Sequence, residues 1–303
     1  MELYCTTNKN KYIVNIPQGR GECYTQCPVC SHQRKPQNQK KKCFGWNRDK
    51  NVGHCFHCDA SFVESRELEK QDIATNNPQP KLLSKIDSIP FDFIRRSLGI
   101  DSNFGDFLQS NFTQEEIAII MNQYHLGMTK DRSVIYWYID KGGRVRSGKI
   151  MQYDKETGKR VKESSISWVH SKMKKNNHLP EDWNFTRCLF GEHLLNANLN
   201  QNVCLVEGEK TAIIASVYMP NQIWLATGGL NMFNETVCSV LKDRKVIIFP
   251  DLGATQLWKD KASEISKNVG CKMVINEKLE DLSSEEQKKQ GLDIGDFLLG
   301  SKI

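Results

Sequence analysis

Residues 202–229 read NVCLVEGEKTAIIASVYMPNQIWLATGG, and residues 245–251 read KVIIFPD. NVCLVE is a short apolar run of strand length. GEKTAIIASVYM has helical spacing, and QIWLATGG is a second strand closed by two glycines. Residues 231–242, NMFNETVCSVLK, then read as a helix, KVIIFPD as a strand, ATQLWKDKASEISKNV (254–269) as a helix and CKMVINEK (271–278) as a strand. This alternation predicts an α/β fold with a mostly parallel sheet covered by helices. In such sheets the working residues collect at the C-terminal ends of the strands. Glu207 ends the first strand and Asp251 the third.

Upstream the period changes. FDFIRRSLG (91–99) is a short amphipathic helix. FTQEEIAIIMNQYHLG (112–127) carries Thr113 as N-cap with Glu116 three residues on, a capping box, and Gly127 as its stop. SVIYWYID and RVRSGKIMQY alternate around Gly142-Gly143 as a hairpin, with ISWVHS as a third strand. NNPQPKLL marks a linker within residues 66–90. The chain therefore divides into a cysteine-rich module at 1–65, a linker at 66–90, a basic α+β domain at 91–200 and the alternating domain at 201–303.

The cysteines are uneven. Seven of the eleven fall in the first 58 residues. Cys27-Pro-Val-Cys30 and Cys55-Phe-His-Cys58 form two CxxC knuckles, whose four thiolates are the number that tetrahedral zinc takes. A module so poor in apolar mass needs such a staple. Cys23, Cys43, His54 and His57 lie nearby, and replacement of a knuckle cysteine by one of them stays open, as does a second partial site. The intervening loop mixes Arg34, Lys35, Lys40, Lys41, Lys42, Arg48 and Lys50 with Phe44 and Trp46. Two readings of it stand: cations on phosphates with rings stacked on bases, or a solvated loop with rings packed on the knuckles.

The 303 residues are 39% hydrophobic and 26% charged. No run approaches the roughly 18 apolar residues of a membrane helix, and MELYCTTNKNKYIVNIPQGRG has no signal-peptide core. The expectation is a cytoplasmic, non-membrane protein with reduced thiols. Net charge is +4 over residues 1–80, +5 over 81–190 and −3 over 191–303. Residues 141–175 alone carry eleven basic and three acidic side chains. Arg144, Arg146 and Lys149 are expected to line one side of a groove for a polyanion, and the acidic C-terminal third suits divalent metals. Asp293 and Asp296 join Glu207 and Asp251 as candidate Mg²⁺ ligands.

VEGEKTAIIAS (206–216), LATGG (225–229), IIFPDLG (247–253) and DIGDFLL (293–299) resemble the toprim fold shared by bacterial-type DNA primases, primase–helicases and topoisomerases. GHCFHCDASF (53–62) resembles the template-reading zinc ribbon of the same primases. Residues 144–171, with CLFGEHLL (188–195), resemble primase-like proteins of mobile elements and genomes of the Bacteroidetes. The order zinc ribbon, basic domain, toprim domain is the primase order.

By this resemblance Glu207 matches the catalytic glutamate, Asp251 the first aspartate of a DxD pair, and Asp293 or Asp296 a later acidic element, together holding Mg²⁺ or Mn²⁺. The resemblance implies primer synthesis from nucleoside triphosphates on single-stranded DNA, with Lys149, Arg144 and Arg146 on phosphates and Lys210 assisting. The second aspartate of DxD is Gly253 here, which weakens a second metal site. No GxxxxGK[ST] motif is present, so a helicase would be a separate partner. Two alternatives accompany the primase reading: a DNA-binding accessory protein that has lost catalysis, and a metal-dependent nuclease using the same carboxylates with water as nucleophile. A topoisomerase is disfavoured, since this length leaves no room for a DNA-gate domain with a tyrosine nucleophile.

Overall fold

The computed structural model describes residues 1–34, 36–58, 60–65, 87–180, 182–196 and 201–300. Most of the expected linker, 66–86, lies outside the described residues. The chain splits into two compact units, Met1–Ser84 and Lys85–Ile303.

The first unit is an antiparallel sheet of β1 (Glu2–Cys5), β2 (Lys11–Ile13), β3 (Glu22–Thr25), β4 (Phe44–Asn47), β5 (Val52–Cys55) and β6 (Ser61–Glu64), in the order β2-β1-β6-β5-β4-β3. Phe44 and Trp46 alternate inward along β4 and are fully buried with Leu3 and Phe62. The Phe44 and Phe62 rings meet edge-on at 4.8 Å. This settles one of the two sequence readings. Phe44 and Trp46 are core residues, because a strand with period-two alternation hides them from any base.

The second unit begins with α1 (Asp92–Ser97), α2 (Asn103–Asn111) and α3 (Gln114–Tyr124). Thr113 and Glu116 make the expected capping box. The helix stops at His125, whose left-handed φ of 50° ends it, and Gly127 instead opens the next strand. An antiparallel sheet follows, of β7 (Gly127–Met128), β8 (Val134–Ile139), β9 (Val145–Met151) and β10 (Ser167–Trp168), ordered β10-β9-β8-β7. Gly143, at φ 78°, closes the β8–β9 turn. Of ISWVHS (166–171) only Ser167–Trp168 is strand; α4 (Val169–Lys175) takes Val169, His170 and Ser171. Ile89, from the end of the expected linker, is buried and bridges to Val145.

The parallel sheet comprises β11 (Val203–Val206), β12 (Ile223–Ala226), β13 (Lys245–Ile248) and β14 (Lys272–Ile275), ordered β12-β11-β13-β14. Its helices are α5 (Glu209–Tyr218), α6 (Glu235–Cys238), α7 (Thr255–Val269), α8 (Lys278–Leu282), α9 (Glu285–Gln290) and α10 (Ile294–Gly300). The helix expected over 231–242 is broken. A 3₁₀ turn covers Leu230–Met232, Asn234 caps a fresh start by accepting from the Val237 N–H, and a second 3₁₀ turn follows α6.

β11 and β12 are buried on both faces. Cys204, Val206, Trp224 and Ala226 join Tyr136, Tyr138, Ile213 and Ile214 in one core. Val203, Leu205, Ile223 and Leu225 pack toward Trp258 and Ile265 of α7 in another. The antiparallel and parallel sheets thus share a core, and Tyr124 Oη donates to the Trp224 carbonyl at 3.1 Å.

Candidate active site and metal centre

In the first unit, Cys27 and Cys30 stand in the turn after β3, and Cys55 and Cys58 in the turn between β5 and β6. Their four sulfurs lie within 4.8 Å of one another. The Cys27–Cys58 and Cys30–Cys55 separations are both 3.7 Å. A tetrahedron with metal–sulfur arms of about 2.3 Å has edges of about 3.8 Å, so the cluster fits a tetrahedral ion. All eleven cysteines are free thiols.

Hydrogen bonding with Cys30 foremost holds Cys27 down to about 7. For Cys30 the bond with Cys27 opposes ionisation, but Cys55, Cys58 and the Arg34 guanidinium outweigh it and bring the thiol to about 5. Thiolates are the form a metal needs.

Of the nearby spares, Cys43 brings its sulfur to the cluster, and the His57 backbone N–H donates to the Cys55 sulfur at 3.4 Å. The Cys43 sulfur is 3.5 Å from that of Cys55, and burial pushes its thiol up to about 11. Arg34 donates to both Cys30 and Cys43. Arg48 is spent on the carbonyls of Pro17, Gln18, Gly21 and Glu22. Both arginines thus bond within the module. Lys35 lies outside the described residues.

The rings this unit exposes are Tyr24, 48% exposed, and Phe56, 67% exposed, with centroids 6.1 Å apart. His54 meets Phe56 edge-on at 5.5 Å. They border a shallow cavity of about 460 Å³ whose rim includes Lys50 and Asn47. Gly45 keeps the floor open: a Cβ there would come within 2.9 Å of Phe56 and 3.2 Å of Tyr24. Sequence reasoning missed both rings. Their one signal was alternation, since Tyr24 lies on β3 opposite Gly45 of β4.

In the second unit, Glu207 follows β11 directly, and Asp251 lies three residues beyond β13, the neighbouring parallel strand. The Phe249 N–H donates to the Leu205 carbonyl and keeps the two strand ends in register. The Leu252 N–H donates to the Leu292 carbonyl, which ties the Asp251 loop to the segment carrying Asp293. Thr211 Oγ1 of α5 donates to Asp293 at 2.6 Å. Asp293 and Asp296 accept from each other's backbone N–H. Lys210 lies 3.6 Å from Asp296 and donates to the Gly158 carbonyl at 3.3 Å.

Burial raises the Glu207 pKa; the Leu230 N–H and Lys149 partly oppose this, while Glu209 and Asp293 add to it. Burial, with Asp296, also raises Asp293. Among the described residues the side chains grouped as a possible metal cluster are the four cysteines, and the carboxylates of Glu207, Asp251, Asp293 and Asp296 are not among them.

Arg144, Arg146 and Lys149, expected to line one side of a groove, are each engaged with a carboxylate. Arg144 and Arg146 both donate to Asp140 Oδ2 at 2.8 Å, and Arg146 is buried. Lys149 is buried against Glu209, 2.8 Å from Oε1 and 3.1 Å from Oε2, and also donates to the Gly228 carbonyl at 3.3 Å. Tyr138 Oη donates to the same Glu209 carboxylate. The β8–β9 pairing shifts register here: Tyr138 pairs with Ser147 and Ile139 with Val145, so Arg146 is the extra residue of a bulge. Lys149 is paired with Glu209, whereas Arg144 and Arg146 share the one carboxylate of Asp140. Of the three, Arg144 keeps its side chain about half exposed. Glu209 was not singled out from sequence as a partner of Lys149 and Tyr138, because nothing in local spacing pairs residues 60 or 71 positions apart; Asp140, four and six residues from Arg144 and Arg146 across the turn, was within local reach and was missed.

Residues 102–252 match the family described as "Domain of unknown function (DUF6371)". No curated protein matches. The chain is similar to three solved structures at low identity. The primase fragment of the bacteriophage T7 primase-helicase protein is 12% identical, covering 83% of this chain and 88% of that one, with a TM-score of 0.38. The Aquifex aeolicus primase, comprising zinc-binding and RNA polymerase domains, is 13% identical, covering 95% and 80%, with a TM-score of 0.35. The E. coli primase catalytic core is 14% identical, covering 70% and 81%, with a TM-score of 0.40. Among the described residues no helix is long and apolar enough to cross a membrane.

Proposed function

We propose that the chain is a toprim-type, primase-like nucleotidyltransferase that acts on single-stranded DNA and nucleoside triphosphates, with structural zinc in its first unit. The reading is carried by the placement of Glu207 and Asp251 at the ends of neighbouring parallel strands, with Asp293 tethered to the first turn of α5. The motif resemblance across the same residues supports it.

In this reading Cys27, Cys30, Cys55 and Cys58 hold Zn²⁺. Glu207, Asp251, and Asp293 or Asp296 are the groups offered to Mg²⁺ or Mn²⁺, which when bound supplies charge neutralisation in phosphoryl transfer. The reaction joins the 3′-hydroxyl of one nucleotide to the α-phosphate of the next, with pyrophosphate leaving. Arg144, half exposed, and Lys210 serve the phosphates. Lys149 positions the strand ends through Glu209 and the Gly228 carbonyl. Tyr24, Phe56 and His54 offer stacking surfaces to template bases.

A second reading, a single-stranded DNA-binding accessory protein without catalysis, draws support from Gly253 and from the neutralised Lys149 and Arg146. One experiment separates them. The full chain is incubated with single-stranded DNA, labelled NTPs or dNTPs, and Mg²⁺ or Mn²⁺. New short labelled oligomers, lost in Glu207→Ala and Asp251→Ala, are the expected result. Shortened DNA would mean a nuclease. Retarded DNA with neither product would overturn catalysis in favour of the binder.

A further inference from the structure

Parallel sheets are ordinarily covered on both faces. Here, among the described residues, one half-face is only partly covered: Ile247 is half-buried against the neighbouring core while Val274 stands exposed. Val246, Ile248, Met273 and Ile275 turn toward α7 and pack there. On the other face, Lys245 pairs with Lys272 and Ile247 with Val274 in register, and Val274 is 44% exposed. β14 is also the edge of the sheet among the described residues.

The inner backbone ladder runs through Lys272, whose N–H donates to the Arg244 carbonyl, and Asn276, whose N–H donates to the Ile248 carbonyl. By strand alternation the N–H and C=O groups of Met273 and Ile275 point outward along the edge. Two shallow cavities flank this strand, one on each face. A cavity of about 490 Å³ is lined by Lys245, Ile247, Lys272, Val274 and Lys278 among others. One of about 450 Å³ on the α7 side includes Lys259, Lys267, Met273 and Ile275. Glu277 is paired with Lys259. Lys245, Lys267, Lys272 and Lys278 enter no ion pair among the described residues.

We propose that β14 is a docking edge for an extended, acidic segment of a partner protein, which adds to the sheet as a fifth strand. Main-chain bonding to Met273 and Ile275 would supply affinity. Alternate side chains would enter the two flanking cavities, where apolar groups meet Val274 or Met273 and carboxylates meet the lysines. The lysine rim on both faces selects acidic peptides over basic ones. A nucleic acid answers the lysines, but it answers neither the outward N–H and C=O groups nor the exposed valine.

The test pans a phage-displayed library of random dodecapeptides against the full chain. The same library is panned against Lys245→Glu/Lys272→Glu, a double change of exposed side chains. Wild type is expected to enrich peptides alternating acidic and apolar residues. A synthetic copy of the leading peptide should bind about tenfold more weakly to the charge-reversed variant. Met273→Pro removes an outward N–H while sparing the inner ladder, and should weaken the same peptide to a similar degree; its fold is checked by circular dichroism. Several outcomes overturn the proposal. They are failure to enrich, enrichment of basic peptides, and a leading peptide that binds the charge-reversed variant as tightly as wild type. Displacement of the peptide by a single-stranded oligonucleotide would reassign the surface to nucleic acid. Sedimentation showing self-association abolished by the charge reversal would reassign it to a second copy of the chain.

Discussion

Replacing Glu209 by alanine strands a buried cation. The Glu209 side chain is 3% exposed and that of Lys149 is 8% exposed, and the carboxylate receives both the ammonium and Tyr138 Oη. Without it Lys149 keeps one acceptor, the Gly228 carbonyl at 3.3 Å. Breaking a buried pair from one side costs about 3–5 kcal/mol, a large share of a total stability of about 5–15 kcal/mol. Lys149→Met should cost nearly as much, for the mirror reason. The double variant Lys149→Met/Glu209→Leu should lie within about 2 kcal/mol of wild type, because apolar replacement of a whole buried pair is often neutral.

The assay is equilibrium urea unfolding of all four proteins, with m held constant. The coupling energy from the cycle should exceed about 2 kcal/mol, and added salt should change it little, since a buried pair is poorly screened. The pH dependence has a definite sign. Burial opposes the Glu209 charge, but Lys149 and Tyr138 outweigh it and hold its pKa below the ordinary glutamate value. The pair's contribution is therefore full above the ordinary glutamate range and is lost as pH falls through the lowered folded value. A Glu209→Ala cost below about 1 kcal/mol, or additive single variants, would refute the reasoning, since a buried pair must couple.

Chelation of the native protein should melt the Met1–Ser84 unit, with refolding on Zn²⁺ addition. Cys30→Ser and Cys55→Ser should abolish metal content by elemental analysis while Cys43→Ser retains it, and equal loss in Cys43→Ser would place that thiol among the ligands. Tyr24→Ala and Phe56→Ala should each weaken single-stranded DNA binding by about 1–3 kcal/mol with no loss of fold. Trp46→Ala should instead destabilise the unit by about 3–5 kcal/mol. Burial, helped by Lys174 and Arg187, pushes His170 down to about 4 from an ordinary 6.5. Stability should therefore decline as pH falls from about 6.5 toward 4, and His170→Gln should flatten that limb in thermal melts. Gly253→Asp should lower the melting temperature by its backbone strain, read by calorimetry; an unchanged melting temperature would show that the loop tolerates the residue.

Features carried by neighbours in sequence were legible. The Thr113–Glu116 capping box, the β8–β9 hairpin and the strand–helix alternation from Val203 to Ile275 all depend on contacts within a few residues. So were the two cysteine knuckles, whose spacing is itself the signal. Where two local signals competed, the stronger one was not always visible. Asn234 interrupts an apolar helical pattern by capping a new start, and His125 takes the left-handed conformation that Gly127 was expected to supply.

The larger failures were long-range. Lys149, counted as free surface charge, had found a carboxylate in Glu209 on another sheet's helix, while Arg146 met Asp140 within its own hairpin. Charge counting treats every lysine as solvent-facing, whereas burial requires that each one be paired. For Phe44 and Trp46 the sequence left two readings open, stacking on bases or packing within the module; their two-residue spacing put both on the inner face of β4.

Gly253 concentrates what the sequence alone left open. In the motif resemblance it is a lost carboxylate, and loss of a side chain would leave an oxygen donor missing in otherwise unchanged surroundings. The structure gives it a different character. Its φ is +77°, a conformation that side chains rarely take, and its N–H donates to Glu280 Oε2 at 3.0 Å. Thr255 Oγ1 donates to the same oxygen at 3.0 Å. One carboxylate from α8 thus closes the turn from Asp251 into α7, so the loop is organised by its backbone and by a glutamate 27 residues further on. Space is not the obstacle to an aspartate, because the nearest atom to an added Cβ is the Lys288 carbonyl oxygen at 3.6 Å. The obstacle is the backbone itself, together with a second negative charge set beside Glu280. Regaining the motif would therefore take more than one substitution: the turn would have to leave the left-handed region and give up its bond to Glu280. The departure at this position is a property of the loop's conformation, with the absent side chain as its consequence.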